Sequence, residues 1–259
     1  MTTSLSPRNL GIDAAPSAPG PIPFSRLVRV EWVKATDTRA ARWLLALVAL
    51  STAGIMLVPV LVSTSFDQTY ASYLRVAALG LSILLPVVAI LMFTGEWSQR
   101  SVMTTFTQEP RRIRVLNAKL AVSLVLGGGG AVFGGVVTAA GLGLAAASGR
   151  ALEANLSIGA ITSYLLYVLL NVLAAVALGA LLQNSAAAIA ASFALPAAFA
   201  LLGTASTLVS DWIDMATTWN WVLENDWAGH VPQISFSIVF WVAVPLAAGV
   251  VRTIRRDVT

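Results

Sequence analysis

Cysteine is absent from the 259 residues, and histidine occurs once, as His230. Without thiols the chain has no disulfides and no thiolate to serve as nucleophile or metal ligand. One histidine beside the scattered carboxylates Asp211, Asp214, Glu224 and Asp226 does not make a metal site. Charge is scarce as well, at 11% of residues, whereas 57% are hydrophobic. Soluble globular chains carry about 25% charged residues. A water-soluble enzyme, a nucleic-acid binder and a disordered protein are therefore excluded as classes. The phosphate-loop pattern Gly-x-x-x-x-Gly-Lys-[Ser/Thr] is missing. The run Gly127 to Gly130 continues into Ala131, Val132 and Phe133, with neither the lysine nor the hydroxyl that such a loop needs.

What is present is a set of long charge-free runs: 43–66, 76–95, 120–149, 154–210 and 227–251. A membrane helix needs about 20 apolar residues. Four runs fit one span each, and the longest, 57 residues, fits two with a break at Gln183, Asn184 and Ser185. The expected fold is all-α and polytopic, with six transmembrane helices near 42–62, 75–95, 118–146, 158–181, 187–208 and 233–251. Helices satisfy their own backbone hydrogen bonds in lipid, and a barrel would show short alternating segments instead.

Fourteen of the sixteen basic residues fall on one side of this arrangement, before span 1, between spans 2 and 3, and after span 6. Only Arg75 and Arg150 fall on the other. Basic residues mark the cytoplasmic side, so both termini are expected there. The basic balance thus reports topology and contact with anionic lipid, with no nucleic-acid partner implied. Residues 1–23, polar and rich in Pro, Ser and Ala, are expected to be a disordered tail without a cleavable leader. The expected location is a cell membrane (inner or plasma), multi-pass. High Ala and Val with only two lysines hint at a GC-rich bacterial genome.

Three segments outside the spans carry pattern. Residues 24–41 place Leu27, Val30, Trp32 and Val33 as an apolar stripe, with Arg26, Arg29, Glu31 and Lys34 around it. This suits an amphipathic helix lying along the cytoplasmic surface, as a simple anchor or as a docking face for a cytoplasmic partner. Residues 96–117 form a connection far longer than the 2–8 residues that join neighbouring helices. Pro110 breaks it, after a short helix expected over Ser101 to Phe106. Residues 210–232 hold four of the eight tryptophans, Trp212, Trp219, Trp221 and Trp227. Such a segment is expected to dip into the outer leaflet, either as an interfacial belt or as an external gate.

No charge lies well within a span, which argues against an ion-coupled carrier. Asn171, near the middle of span 4, is read either as an interhelical hydrogen bond or as part of a substrate path. Gly130 and Gly134 form a small-xxx-small pair that favours close packing, and Pro59, Pro86, Pro196 and Pro245 are candidate kinks.

The stretch Gly95-Glu96-Trp97, then Gln99-Arg100-Ser101, Thr104-Thr105, Pro110-Arg111-Arg112 and Ala118-Lys119, resembles the permease subunits of ABC exporters of the ABC-2 type. The resemblance spans roughly residues 24–256 and implies the ABC-2 (type V exporter-like) fold. It implies an interface helix over 24–41, a coupling helix within 96–117, a 42–256 transmembrane domain and short re-entrant helices before span 6. The implied function is ATP-driven efflux of a hydrophobic or amphipathic compound, such as a drug, antibiotic, lipid or peptide. ATP and Mg would belong to a separate ATPase subunit, and no cofactor is expected in this chain. The implied coupling residues are Glu96, Arg100, Arg111, Arg112, Arg29, Glu31 and Lys34. Candidate pathway residues are Ser82, Asn171, Ser192, Phe193 and Phe199. The implied partners are the ATPase, a second permease copy or relative, and membrane lipids. Two rivals stand beside this reading. A non-transporting immunity, sensor or assembly protein would not need the long basic connection between spans 2 and 3. An intramembrane serine hydrolase would need serine and histidine at one depth, and His230 lies in a loop at the outer edge.

Overall fold

The computed structural model describes residues 22–62, 67–98, 111–150 and 157–255. The regular elements among them are helices: α1 (Phe24–Thr36), α2 (Arg39–Leu61), α3 (Tyr70–Ser98), α4 (Arg112–Ala147), α5 (Ile158–Leu182) and α6 (Ser185–Gly203). Two short helices follow, α7 (Thr207–Trp212) and α8 (Met215–Leu223). The last span runs through α9 (Val231–Ile238), a π-helical turn (Val239–Ala243) and α10 (Val244–Arg255). Six helices are long and apolar enough to cross a membrane, so the chain is a multi-pass membrane protein.

Local chemistry sets the breaks. The Thr38 hydroxyl accepts from the Ala41 N–H and starts α2 after a two-residue step from α1. Arg39 and Arg42 therefore belong to α2, whereas the interface helix was expected to run to residue 41. Gln183, at φ 53°, takes the left-handed conformation that ends α5, and Asn184 caps α6 through Ala187 N–H. The break inside the 57-residue run thus falls on its polar residues. α4 begins at Arg112, and its 36 residues rise about 54 Å, well beyond the roughly 30 Å hydrocarbon core. Residues 112–117, expected in a connection, are the projecting first turns of that helix.

Helices α3 and α5 form the centre, with 61% of each apolar window buried, against 6% for α6. Lipid supplies no hydrophobic drive between spans, so close approach of small residues sets the packing. Gly249 of α10 lies against the backbone of Ala180 in α5, where an added Cβ would meet carbon at 2.5 Å. Gly80 of α3 meets the Thr52 Cα of α2 at 2.9 Å in the same sense. Gly130 and Gly134 do lie on the packed face of α4, against Leu85, Leu81 and the Tyr164 hydroxyl, whereas Gly128, Gly129, Gly135 and Gly143 face open space. Gly249→Val should therefore cost about 1–3 kcal/mol by overpacking, while Gly128→Ala should be neutral or better. Thermal unfolding of both variants in one detergent checks the order. Equal midpoints would contradict the α5–α10 contact.

The two ends of the bundle are chemically distinct. At one end Arg112 donates to the carbonyl of Thr253 at 2.9 Å, and Arg252 to that of Leu181 at 2.6 Å. Gln183 Nε2 donates to Thr253 Oγ1 at 2.9 Å, and Thr94 pairs with Ser185 at 2.7 Å. This basic end holds α1 and the end of α10. At the other end Arg150 donates to the carbonyls of Pro59 and Val60, closing the end of α2. Arg75 and Glu224 approach there to 3.9 Å, on exposed side chains.

Candidate functional site

Four charges gather at the basic end. Lys119 on α4 lies 2.6 Å from Glu31 Oε2 and 3.3 Å from Glu96 Oε2. Lys34 lies 2.9 Å from Glu31 Oε1 and 2.6 Å from Glu96 Oε1. Each carboxylate oxygen thus meets one ammonium, and the ring is neutral. Glu31 and Lys119 are only 3% and 4% exposed. Burying ions costs several kcal/mol each, and only close, complete pairing offsets it.

The ring has a mechanical meaning. Glu31 and Lys34 sit one turn apart on α1, Glu96 in the last turn of α3, and Lys119 in the second turn of α4. It ties α1 to both helices that flank residues 99–110. The buried side of α1 is the side of Glu31 and Ala35, while Val30, Trp32 and Val33 of the expected apolar stripe stand 39–47% exposed. An amphipathic helix at a membrane surface presents its apolar face to lipid. Here its polar residues grip the bundle.

Lys34 is the ring member nearest water. Burial lowers its pKa, but hydrogen bonds to Glu96 and Glu31, with the attraction of both carboxylates, outweigh that and hold it above the ordinary 10.5. A raised lysine pKa adds stability that is complete below 10.5 and disappears as pH rises through the higher folded value. Docking of α1 should therefore not change with pH near neutrality through this group. Above about 10.5 the melting temperature of the wild type should fall more steeply than that of Lys34→Arg, since arginine does not titrate there. Coincident pH profiles would count against Lys34 as a contributing ion.

A cleft of about 980 Å³ opens beside the ring, between α1, the start of α2 and the ends of α3 and α4. A second, small cavity of about 40 Å³ lies inside the membrane-spanning region. Ser82, Asn171, Ser192 and Phe193 line it with Pro86 and Pro196. Phe199 does not line it, but packs edge-on at 5.5 Å against Trp241, which does. The two prolines withdraw the amide hydrogens that would otherwise bond the carbonyls of Ser82 and Ser192, one turn back. Uncharged polarity thus collects at one depth, in a space about large enough for a single water. Asn171 donates to the carbonyl of Tyr167 at 2.9 Å in its own helix, not to a neighbouring one.

The tryptophans divide by environment. Trp219, 1% exposed, is a core residue packed with Leu170, Val222, Ile234 and Trp241, and its Nε1 has no hydrogen-bond partner among the described residues. Trp227 donates to Ser163 Oγ at 3.1 Å, and Trp221 stacks on His230 at 3.8 Å. Trp212 is 37% exposed and edge-on to Phe236. Asp214, from the acidic group around His230, caps α8 by accepting from the N–H groups of Ala216 and Thr217. Among the described residues no three His, Asp or Glu side chains gather as a metal site.

Of the expected coupling residues, Glu31, Lys34 and Glu96 come together. Arg29 is exposed on α1, and Arg111 is exposed just before α4. Arg112 anchors the end of α10. Arg100, the helix expected over Ser101 to Phe106 and the tail up to residue 21 lie outside the described residues. Lys119 as a member of the ring, and Met215 and Trp241 in the lining of the small cavity, were not anticipated. Lys119 carried one usable signal: it is one of two lysines in the chain and falls inside the span expected over 118–146. No family model, curated protein or solved structure matches this chain.

Proposed function

We propose that the protein is the transmembrane permease subunit of an ABC exporter, driven by a separate ATP-binding subunit. The observation that carries this is the ion ring. A force applied to residues 99–110 by a bound ATPase would pass to α3 and α4 at once, and through Glu96 and Lys119 to α1. The basic end, which in this reading faces the cytoplasm, would present Arg29 and Arg111 to an acidic partner surface. The permease would work with a second permease copy or a relative.

The substrate path in this reading passes the small cavity. At about 40 Å³ it is closed to anything drug-sized, which needs roughly 300 Å³ or more. Opening would require a helix to move. α6 is the least buried of the six spans and carries Ser192, Phe193 and Phe199.

The test is to look for an ATP-binding cassette protein encoded beside this chain and to co-express the two, followed by isolation in mild detergent with lipid. The expected result is a stable complex whose ATP hydrolysis changes in Glu96→Ala/Arg111→Ala. A chain that purifies alone under those conditions would overturn the exporter reading. A complex with unchanged hydrolysis and transport in that double variant would overturn the assigned coupling residues.

A further inference from the structure

We propose that the cleft at the basic end is a binding site for one anionic phospholipid of the adjoining leaflet. Three observations converge on that ligand. The first is depth. The α3 wall runs from Ser98 to Val88, ten residues or about 15 Å of helix. That is about half of the roughly 30 Å hydrocarbon core, the length of one leaflet. The second is the arrangement of polarity. Leu44, Val88, Leu91 and Met92 form an apolar lining on α2 and deeper along α3, and the charged groups, of which Glu31 and Lys119 are themselves buried, gather around Glu96 in the last turn of α3 at the basic end. An amphiphile with its chain inward and its headgroup at the basic end matches this gradient.

The third is charge. The lining holds the cations Arg26, Lys34 and Lys119 and the carboxylates Glu31 and Glu96, a net charge of +1. The ring consumes two cations against two carboxylates, with all four carboxylate oxygens engaged. Arg26 is left as the surplus cation, exposed at the mouth on the first turn of α1, with no acidic partner among the described residues. A guanidinium binds phosphate oxygens in bidentate geometry. One surplus positive charge selects a lipid of one negative charge, such as phosphatidylglycerol, over a zwitterionic one. The volume, about 980 Å³, is at the upper end for small-molecule sites, consistent with a chain-bearing ligand. Basic pockets between membrane helices on the cytoplasmic side bind anionic headgroups by the same physics.

The proposal stands apart from the exporter reading, because it concerns this chain alone in a bilayer. The full chain would be reconstituted without any ATPase into bilayers of equal phosphatidylglycerol and phosphatidylcholine, then released for native mass spectrometry. The expected result is one retained phosphatidylglycerol per chain. Arg26→Ala should lower its retention about fivefold, and Leu44→Trp, which fills the apolar part, should abolish it. Arg75→Ala, at the opposite end, should leave it unchanged. Arg26 is exposed, so its variant tests the idea even if the tryptophan variant misfolds. Equal retention of both lipids would overturn the proposal, as would retention of phosphatidylglycerol that Arg26→Ala does not change. Lipid retained only after deletion of residues 1–21 would assign the cleft to the chain's own tail, which also overturns it.

Discussion

Lys119→Met should destabilise the folded protein by about 3 kcal/mol, because it leaves the buried Glu31 and the half-buried Glu96 to share Lys34. Glu31 then loses its 2.6 Å partner, and Glu96 its contact at 3.3 Å. The pair Glu31→Leu/Lys119→Met should recover most of the loss. It removes one charge of each sign and leaves Lys34 with Glu96 at 2.6 Å, a matched pair. Replacing complete buried ion pairs by apolar residues of similar volume is often neutral or stabilising. Denaturant or thermal unfolding in lipid–detergent micelles gives both numbers. A single variant as stable as the wild type would mean that the ring is open and hydrated. A double variant no better than the single would mean that Lys119 acts by packing instead of charge.

The second large effect is expected at Trp219. Trp219→Ala should cost about 3–5 kcal/mol, as the loss of a large core aromatic does. Trp219→Phe should cost much less, because among the described residues the indole N–H has no hydrogen bond whose loss would be felt. Trp212→Ala, at a 37% exposed position, should stay within about 0.5 kcal/mol. The same unfolding assay ranks the three. A Trp219→Ala protein of wild-type stability would return this residue to the interfacial belt or external gate expected from the sequence. A large loss at Trp212 instead would place the core contact there.

These two sites differ in how far they could be read in advance. The tryptophan segment was visible as a cluster between the last two spans. Its division into core and surface positions was not, because four tryptophans within sixteen residues look alike to any composition argument. Trp219 is inside because α8 packs on α5 beside α9 and the π-helical turn, which brings Leu170, Ile234 and Trp241 around it. The ion ring was half visible. Glu31, Lys34 and Glu96 were singled out as coupling residues, and the structure pairs them with each other and with Lys119. Glu31 and Lys119 are 88 positions apart, and Lys34 and Glu96 are 62 apart. No local period connects positions so distant. The outward apolar stripe of α1 follows from its sequence, but which polar residues grip the bundle depends on where α3 and α4 end.

The number of spans was determined by the sequence itself. A bilayer demands about 20 residues without charge, and a charge-free run of that length leaves little freedom in how it folds. The break at Gln183 and Asn184 was legible for a related reason, since caps and left-handed turns are made by neighbours in the chain, whereas the Thr38 cap was missed by a reading that ran the first helix to residue 41. Tertiary structure alone decided the rest: the burial of Glu31 and Lys119, the cleft beside them, the meeting of Ser82, Asn171 and Ser192 at one depth, and the contact of Gly249 with Ala180. In lipid every apolar face is equally acceptable to its surroundings, so hydrophobicity does not say which face meets which helix. Close packing of small residues and the pairing of buried charge make that choice, and both require partners far apart in the chain.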